Sequence, residues 1–216
     1  MIAILFDLDG TLVDSSIGIL DSLRHMLAAM EAPDRPDAEL RSWIGPPLQV
    51  CARQLAGCES EQQVDRAVHA YRARYREHGV HLSTPFPGIV ELLGELAGRG
   101  DVRMGVATSK PTDFARQIVE QHELHRWLPV LHGADWEGQL TKADLIAAAL
   151  GELSCDEAVM IGDRRFDIEG AHQHDISAVG VTYGFGTRDE LEQAGADVVC
   201  DDVPGLALAL RNFLGA

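Results

Sequence analysis

The apolar positions of this chain fall into two regimes that change over near residue 83. Ile2 to Phe6 is a continuous apolar run that stops at Asp7, the pattern of a strand buried on both faces. From about Ser16 to Glu31, Ile17, Leu20, Leu27 and Ile19, Leu23, Met26, Met30 recur at helical spacing, until Pro33 and Pro36 end the run. Further helical stretches are predicted over residues 37–43, 48–56 and 61–78, so residues 15–82 read as all-helical, with Pro85 and Pro87 punctuating the exit. Beyond them, predicted helices over 88–97, 112–122, 142–150, 165–172, 188–193 and 206–213 alternate with predicted strands over 102–107, 129–131, 158–161, 178–181 and 197–199. Such alternation builds a parallel sheet covered on both faces, an α/β fold.

Ligands of open parallel sheets sit beyond the carboxyl ends of the strands. The first strand there delivers Asp7 and Asp9, the second Thr108 and Ser109, and the strand ending at Ile161 delivers Asp163 and, one turn on, Asp167. Lys142 opens the helix before that strand. Several carboxylates in one place raise each other's pKa or bind a cation, and oxygen donors with no His or Cys among them favour magnesium over zinc. Asp7 and Asp163 are assigned as side-chain ligands and Asp9 as a backbone-carbonyl ligand, with Asp167 a further ligand or an outer-shell partner. An aspartate can attack phosphorus, and a second acid, Asp9, can protonate the leaving group if the chain turns at Gly10. Thr108 and Ser109 read as phosphate-binding donors at a helix N-terminus, and Lys142 as a fixed point charge beside them.

Composition narrows the partners. The 216 residues suit one core of roughly 150 residues plus a smaller insert. A formal charge of −16 disfavours nucleic acid and anionic membranes, and obliges a site for small anions to carry its own positive charge. No basic leader or membrane-length apolar run is visible, and the scattered Cys51, Cys58, Cys155 and Cys200 fit reduced thiols, so a cytoplasmic location is expected. Lysine is scarce: Lys110 and Lys142 stand beside sixteen arginines. That scarcity makes Lys142 a functional candidate, whereas Lys110 can be read as simply solvated.

Asp7-x-Asp9-Gly10-Thr11 alone could be a turn, and Gly162-Asp163 or Thr108-Ser109 alone a helix cap. Together they match more. Phe6-Asp7-Leu8-Asp9-Gly10-Thr11-Leu12-Val13-Asp14-Ser15 resembles the first motif of the haloacid dehalogenase-like hydrolases, Thr108-Ser109 the second, Lys142 the third, and Ile161-Gly162-Asp163-Arg164 through Asp167 the fourth. The resemblance implies a doubly wound Rossmann-like core of residues 1–14 and 83–216 with an inserted helical cap of residues 15–82. It also implies magnesium and an aspartyl-phosphate intermediate on a small phosphorylated metabolite. Ile44-Gly45-Pro46-Pro47-Leu48, Pro85-Phe86-Pro87-Gly88, Ala107-Thr108-Ser109-Lys110 and Tyr183-Gly184-Phe185-Gly186 are similar to the phosphoglycolate phosphatase and 5′-nucleotidase-like branch.

Within that resemblance, Asp9 argues against a haloalkanoate dehalogenase, which needs no acid for halide. The absence of lysine between residues 15 and 82 argues against a Schiff-base phosphonoacetaldehyde hydrolase. Gly45, Pro46 and Arg41 are the candidate substrate-binding positions of the insert, with Arg24 or Arg53 as other partners for a phosphoglycolate carboxylate. Trp43 is the candidate surface for a nucleoside monophosphate. A phosphate-ligand binding protein without turnover is the reading of another class, and the intact set Asp7, Asp9, Thr108, Lys142 and Asp163 speaks against it.

Overall fold

The computed structural model describes residues 1–136 and 138–215. Contacts divide the chain into two compact units, Met1–Asp14 with Thr84–Ala216, and Ser15–Ser83.

In chain order the elements are β1 (Ile2–Phe6), β2 (Val13–Asp14), α1 (Ser16–Ala29), α2 (Asp37–Arg41), α3 (Leu48–Gln54), α4 (Glu61–Glu77), β3 (Thr84–Pro85), α5 (Ile89–Ala97), β4 (Val102–Pro111), α6 (Thr112–Gln121), β5 (Val130–Ala134), α7 (Lys142–Leu153), β6 (Glu157–Gly162), α8 (Arg165–His172), β7 (Ser177–Val181), α9 (Arg188–Gln193), β8 (Val198–Cys200) and α10 (Val203–Phe213). The first unit is built on a six-stranded sheet in the order β5-β4-β1-β6-β7-β8, with every neighbouring pair parallel. Ala3 and Leu5 of β1 pack into one apolar cluster with Leu145, Ile146 and Ala149 of α7 and Ile168 of α8. Ile4 and Phe6 point the other way and are equally inaccessible, so helices cover both faces and the continuous apolar run of β1 is explained.

Register decides where chemistry emerges. Phe6 of β1 lies level with Val106 on one side and Ile161 on the other. The residues that follow, Asp7, Thr108 and Asp163, therefore lie at one edge of the sheet. The antiparallel ribbon of β2 with β3 was not evident from the sequence, because two residues carry no periodicity.

The structure corrects the reading of Thr108 and Ser109 as a helix N-terminus. Strand β4 runs on through them to Pro111, and α6 starts only at Thr112. A residue before proline avoids the helical region, so Lys110 is held extended and the helix waits for the proline to pass. Opposite this stretch β4 has two residues more than β5: Thr108 pairs with Gly133 and Pro111 with Ala134. Gly133 makes room for the bulge, because a side chain there would meet the Lys110 carbonyl oxygen at 2.7 Å.

In the second unit the long helices α1 and α4 pack together. Ser60 caps α4 through a reciprocal hydrogen-bond pair with Gln63, and Arg74 pairs with Asp21 of α1 at 2.6 Å. Leu20, Leu23, Met26 and Leu27 form the buried stripe of α1, while Ile17, counted with them by periodicity, is exposed. No helix among the described residues is long and apolar enough to cross a membrane.

Candidate active site

Three aspartates meet at the carboxyl edge of the sheet. Side-chain oxygens of Asp7, Asp163 and Asp167 lie within 4.8 Å of one another, and all three residues are buried. Asp7 follows β1, where its N–H donates to the Ile161 carbonyl at 2.9 Å. Asp163 follows β6, and its Oδ2 accepts the Phe185 N–H at 2.8 Å. Asp167 sits in the first turn of α8, where its Oδ2 accepts the Arg164 N–H at 3.0 Å, a favourable end of the helix for an anion.

Glycines wrap this cluster tightly. A side chain at Gly162 would meet Asp167 Cγ at 2.1 Å, and one at Gly184 would meet the Gly10 carbonyl at 2.2 Å and Asp163 Cβ at 2.5 Å. Gly10 also carries φ of +84°, which closes the turn that brings Asp9 back towards the edge. The loop after β7 is tied down by the Tyr183 hydroxyl, which donates to the Thr11 carbonyl at 3.1 Å, and by an edge-to-face contact of Tyr183 with Phe86. Burial, then the Asp163 charge, pushes the Tyr183 phenol up, so it stays protonated as a donor.

Lys142 is the counter-charge. The pair Thr141–Asp144 caps α7 reciprocally and fixes Lys142 as its first residue. Its ammonium lies 3.0 Å from Asp7 Oδ1 and 2.7 Å from Asp167 Oδ1, and donates to the Ala107 carbonyl at 3.0 Å. Lys142 thus holds the two aspartates by charge and the end of β4 by a hydrogen bond. Burial pulls its pKa down, but the Asp167 and Asp7 charges outweigh that and hold it above the ordinary range.

The cluster remains short of positive charge, with three carboxyl groups against one ammonium. Burial, followed by the charges of Asp167 and Asp7, drives Asp163 well above the usual carboxylate range. Asp167 is pushed up to about 6, by burial first, against the opposing pull of Lys142. Asp163 Oδ1 is buried without a hydrogen-bond partner among the described residues. The Oδ1 atoms of Asp7 and Asp167 meet Lys142 as ion pairs by distance but without hydrogen-bond alignment. A small, hard divalent cation fits such a set: oxygen donors only, an unsatisfied oxygen, and excess negative charge.

Asp9 stands apart from the triad: its Oδ2 is 2.6 Å from the Lys110 ammonium. Lys110 is buried, which corrects the expectation that it is solvated, and no sequence signal placed it on Asp9. Thr108 is buried and its hydroxyl accepts the Lys110 N–H at 3.3 Å, whereas Ser109 is exposed. Arg41, Gly45 and Pro46 belong to the second unit; the Arg41 guanidinium donates to Ser16 Oγ at 3.3 Å, and Gly45 takes φ of +112° after α2. Sequence reasoning also missed the Phe185 N–H as the group that orients Asp163.

The haloacid dehalogenase-like hydrolase family model matches residues 4–181. A 5′-nucleotidase of Pseudomonas aeruginosa is 40% identical over 213 residues, covering 97% of this chain and 95% of that protein. A protein named tyrosine-protein kinase PtkA in Mycobacterium tuberculosis is 38% identical over 91% of this chain and 67% of its own length. A phosphoglycolate phosphatase of Caulobacter vibrioides is 32% identical over 96% of this chain and 91% of its own. The crystal structure of a predicted phosphatase from Clostridium acetobutylicum superposes with a TM-score of 0.91 at 35% identity, covering 97% of this chain and 98% of that one. The chain therefore belongs to the haloacid dehalogenase-like hydrolases. Within that family it is a phosphatase.

Proposed function

We propose that the protein is a magnesium-dependent phosphatase of small phosphate monoesters, with Asp7 as nucleophile and Asp9 as general acid and then base. The observation that carries the reading is the convergence of Asp7, Asp163 and Asp167 around one buried, cation-deficient point. Magnesium, held there by Asp7 and Asp163 with Asp167 beside them, would supply the positive charge that screens a phosphoryl dianion from the carboxylates.

Asp7 is aimed by Lys142, which lies 3.0 Å from its Oδ1, and that suits it to attack phosphorus. The bond from phosphorus to the leaving oxygen breaks as the bond to Asp7 forms, and Asp9 hands its proton to that oxygen. Water then displaces Asp7 from phosphorus while Asp9 takes a proton back. Thr108, at the end of β4, is the hydroxyl proposed to meet a phosphoryl oxygen, with Ser109 beyond it. Lys142 acts in this scheme chiefly by holding Asp7 and Asp167. The helical unit of residues 15–83 is proposed as the cap that selects the substrate, with Arg41, Gly45 and Pro46 as its contacts.

Phosphoglycolate is the first substrate reading, because a second anionic group gives a cap arginine a role. The observation favouring a nucleoside monophosphate is the higher identity of the 5′-nucleotidase relative, 40% against 32%. Phosphate release is to be followed across phosphoglycolate, nucleoside 5′-monophosphates and sugar phosphates, with magnesium or with EDTA. Asp7→Asn is expected to abolish release from every ester that the wild type accepts. Normal turnover by that variant would refute the nucleophile, and a wild type inert on the whole panel would favour a non-catalytic phosphate-binding role.

A further inference from the structure

The chain has two lysines, and both are buried at the carboxyl edge of the sheet. Each pairs with one of the two aspartates that follow β1: Lys142 with Asp7, Lys110 with Asp9. The scheme above uses the first pair and leaves the second without a role. Solubility does not explain a lysine whose side chain is 6% exposed. Stability explains it poorly, since a buried ion pair is often no better than an apolar pair of the same volume.

The backbone is also arranged around Lys110. The bulge between Thr108 and Pro111 turns Ser109 to solvent and Lys110 inward. Thr108 Oγ1 accepts the Lys110 N–H, Pro111 follows directly, and Gly133 leaves space for the Lys110 carbonyl. An irregular strand end held from three sides delivers one ammonium to one carboxylate, 2.6 Å away. Asp9, by contrast, lies in a turn at Gly10 whose backbone alone does not fix where its carboxyl group points.

We propose that Lys110 is the positioning residue for Asp9: its ammonium, held on Oδ2, fixes the direction in which the other oxygen of that carboxyl group, protonated for this step, delivers its proton to the leaving oxygen. The proposal rests on the reading of Asp9 as general acid and adds the group that makes it effective. When Asp9 gives up its proton, the electron pair of the broken phosphorus–oxygen bond stays on the leaving oxygen, which becomes a hydroxyl. Asp9 remains as a carboxylate beside the Lys110 ammonium.

The test is leaving-group dependence, which a structural role or a general loss of positive charge would not produce. The kcat/KM of wild type, Lys110→Met, Lys110→Arg and Asp9→Asn is to be measured with magnesium on p-nitrophenyl phosphate, whose phenolate departs without a proton, and on phosphoglycolate and adenosine 5′-monophosphate, whose alkoxides need one. This parameter reports the transfer to Asp7 and not the later hydrolysis. Loss of a general acid is worth roughly 100- to 10,000-fold. Lys110→Met is expected to lose about 10- to 100-fold on the accepted alkyl ester and less than about threefold on the aryl ester, a fraction of that span. Lys110→Arg is expected to recover most of the difference, and Lys110→Met added to Asp9→Asn to cost nothing further on the alkyl ester.

Equal losses on both esters by a folded Lys110→Met, beside a leaving-group-dependent loss in Asp9→Asn, would overturn the proposal and leave Asp9 as the acid. Equal losses in Asp9→Asn itself would overturn both. Thermal unfolding separates misfolding from misplacement, and should Lys110→Met not fold, failure of Lys110→Arg to preserve the wild-type ratio between the esters would overturn the proposal.

Discussion

Replacing Lys142 by methionine isolates the electrostatic balance of the site, because the two side chains are similar in length and only one is charged. The ammonium faces Asp7 Oδ1 at 3.0 Å and Asp167 Oδ1 at 2.7 Å. At an effective dielectric of about 20, unit charges this close attract by roughly 5 kcal/mol per pair, most of it offset by the cost of drying the three groups. Removing one partner keeps that cost and loses the attraction, for an expected destabilisation of about 3–5 kcal/mol. The size should depend on pH, and the sign follows from the carboxyl groups. Asp163 and Asp167 have folded-state pKa values above their unfolded ones, the latter about 6. Their contribution is therefore fully present below pH 4 and is lost as pH rises through the folded values. The Lys142 pKa is raised from 10.5, so its own contribution is constant from pH 5 to 8. Without Lys142, Asp167 loses its main opposing charge and rises further, which places the added loss of stability above about pH 6. Urea unfolding at pH 5, 6.5 and 8 should show a deficit that widens with pH and narrows when magnesium is added. A small deficit, below about 1 kcal/mol and flat with pH, would refute the account of Lys142 as the counter-charge.

Other substitutions read neighbouring parts of the same arrangement. Asp163→Asn should remove the magnesium-induced rise in melting temperature while leaving the metal-free protein as stable as wild type, or more so, at pH 8, because one repelling buried charge is gone. Gly184→Ala should cost about 1–3 kcal/mol in urea unfolding and weaken magnesium binding in isothermal titration, since its Cβ would fall 2.5 Å from Asp163 Cβ. Asp175→Gly should stabilise by about 0.5–1 kcal/mol with activity unchanged, because Asp175 is exposed and held at φ of +54°.

Much of this was legible in the chain for definite reasons. β1 could be read because both of its faces are buried, and Asp7 and Asp163 because a parallel sheet presents its strand ends at one edge. What was not legible depends on neighbours far away in sequence. The bulge of β4 exists because Gly133 of β5 lets the Lys110 backbone approach, and nothing in residues 105–115 alone reveals it. Pro111 was a usable local signal, since it bars a helix from starting at Thr108 or Ser109. The three partners of Lys142 come from β1, β4 and α8, so its role as a clamp became visible only once these elements were together. The glycines at 162 and 184 looked like ordinary loop residues until the aspartates packed against them.

The place of β1 in the sheet also shapes how the protein comes into being. Its apolar ribbon is sandwiched between β4 and β6, with Phe6 level with Ile161. At ribosomal speeds of about 5–20 residues per second, the nascent chain carries that ribbon without its second neighbour for on the order of ten seconds. During that interval five apolar residues have no permanent shelter and are exposed to aggregation.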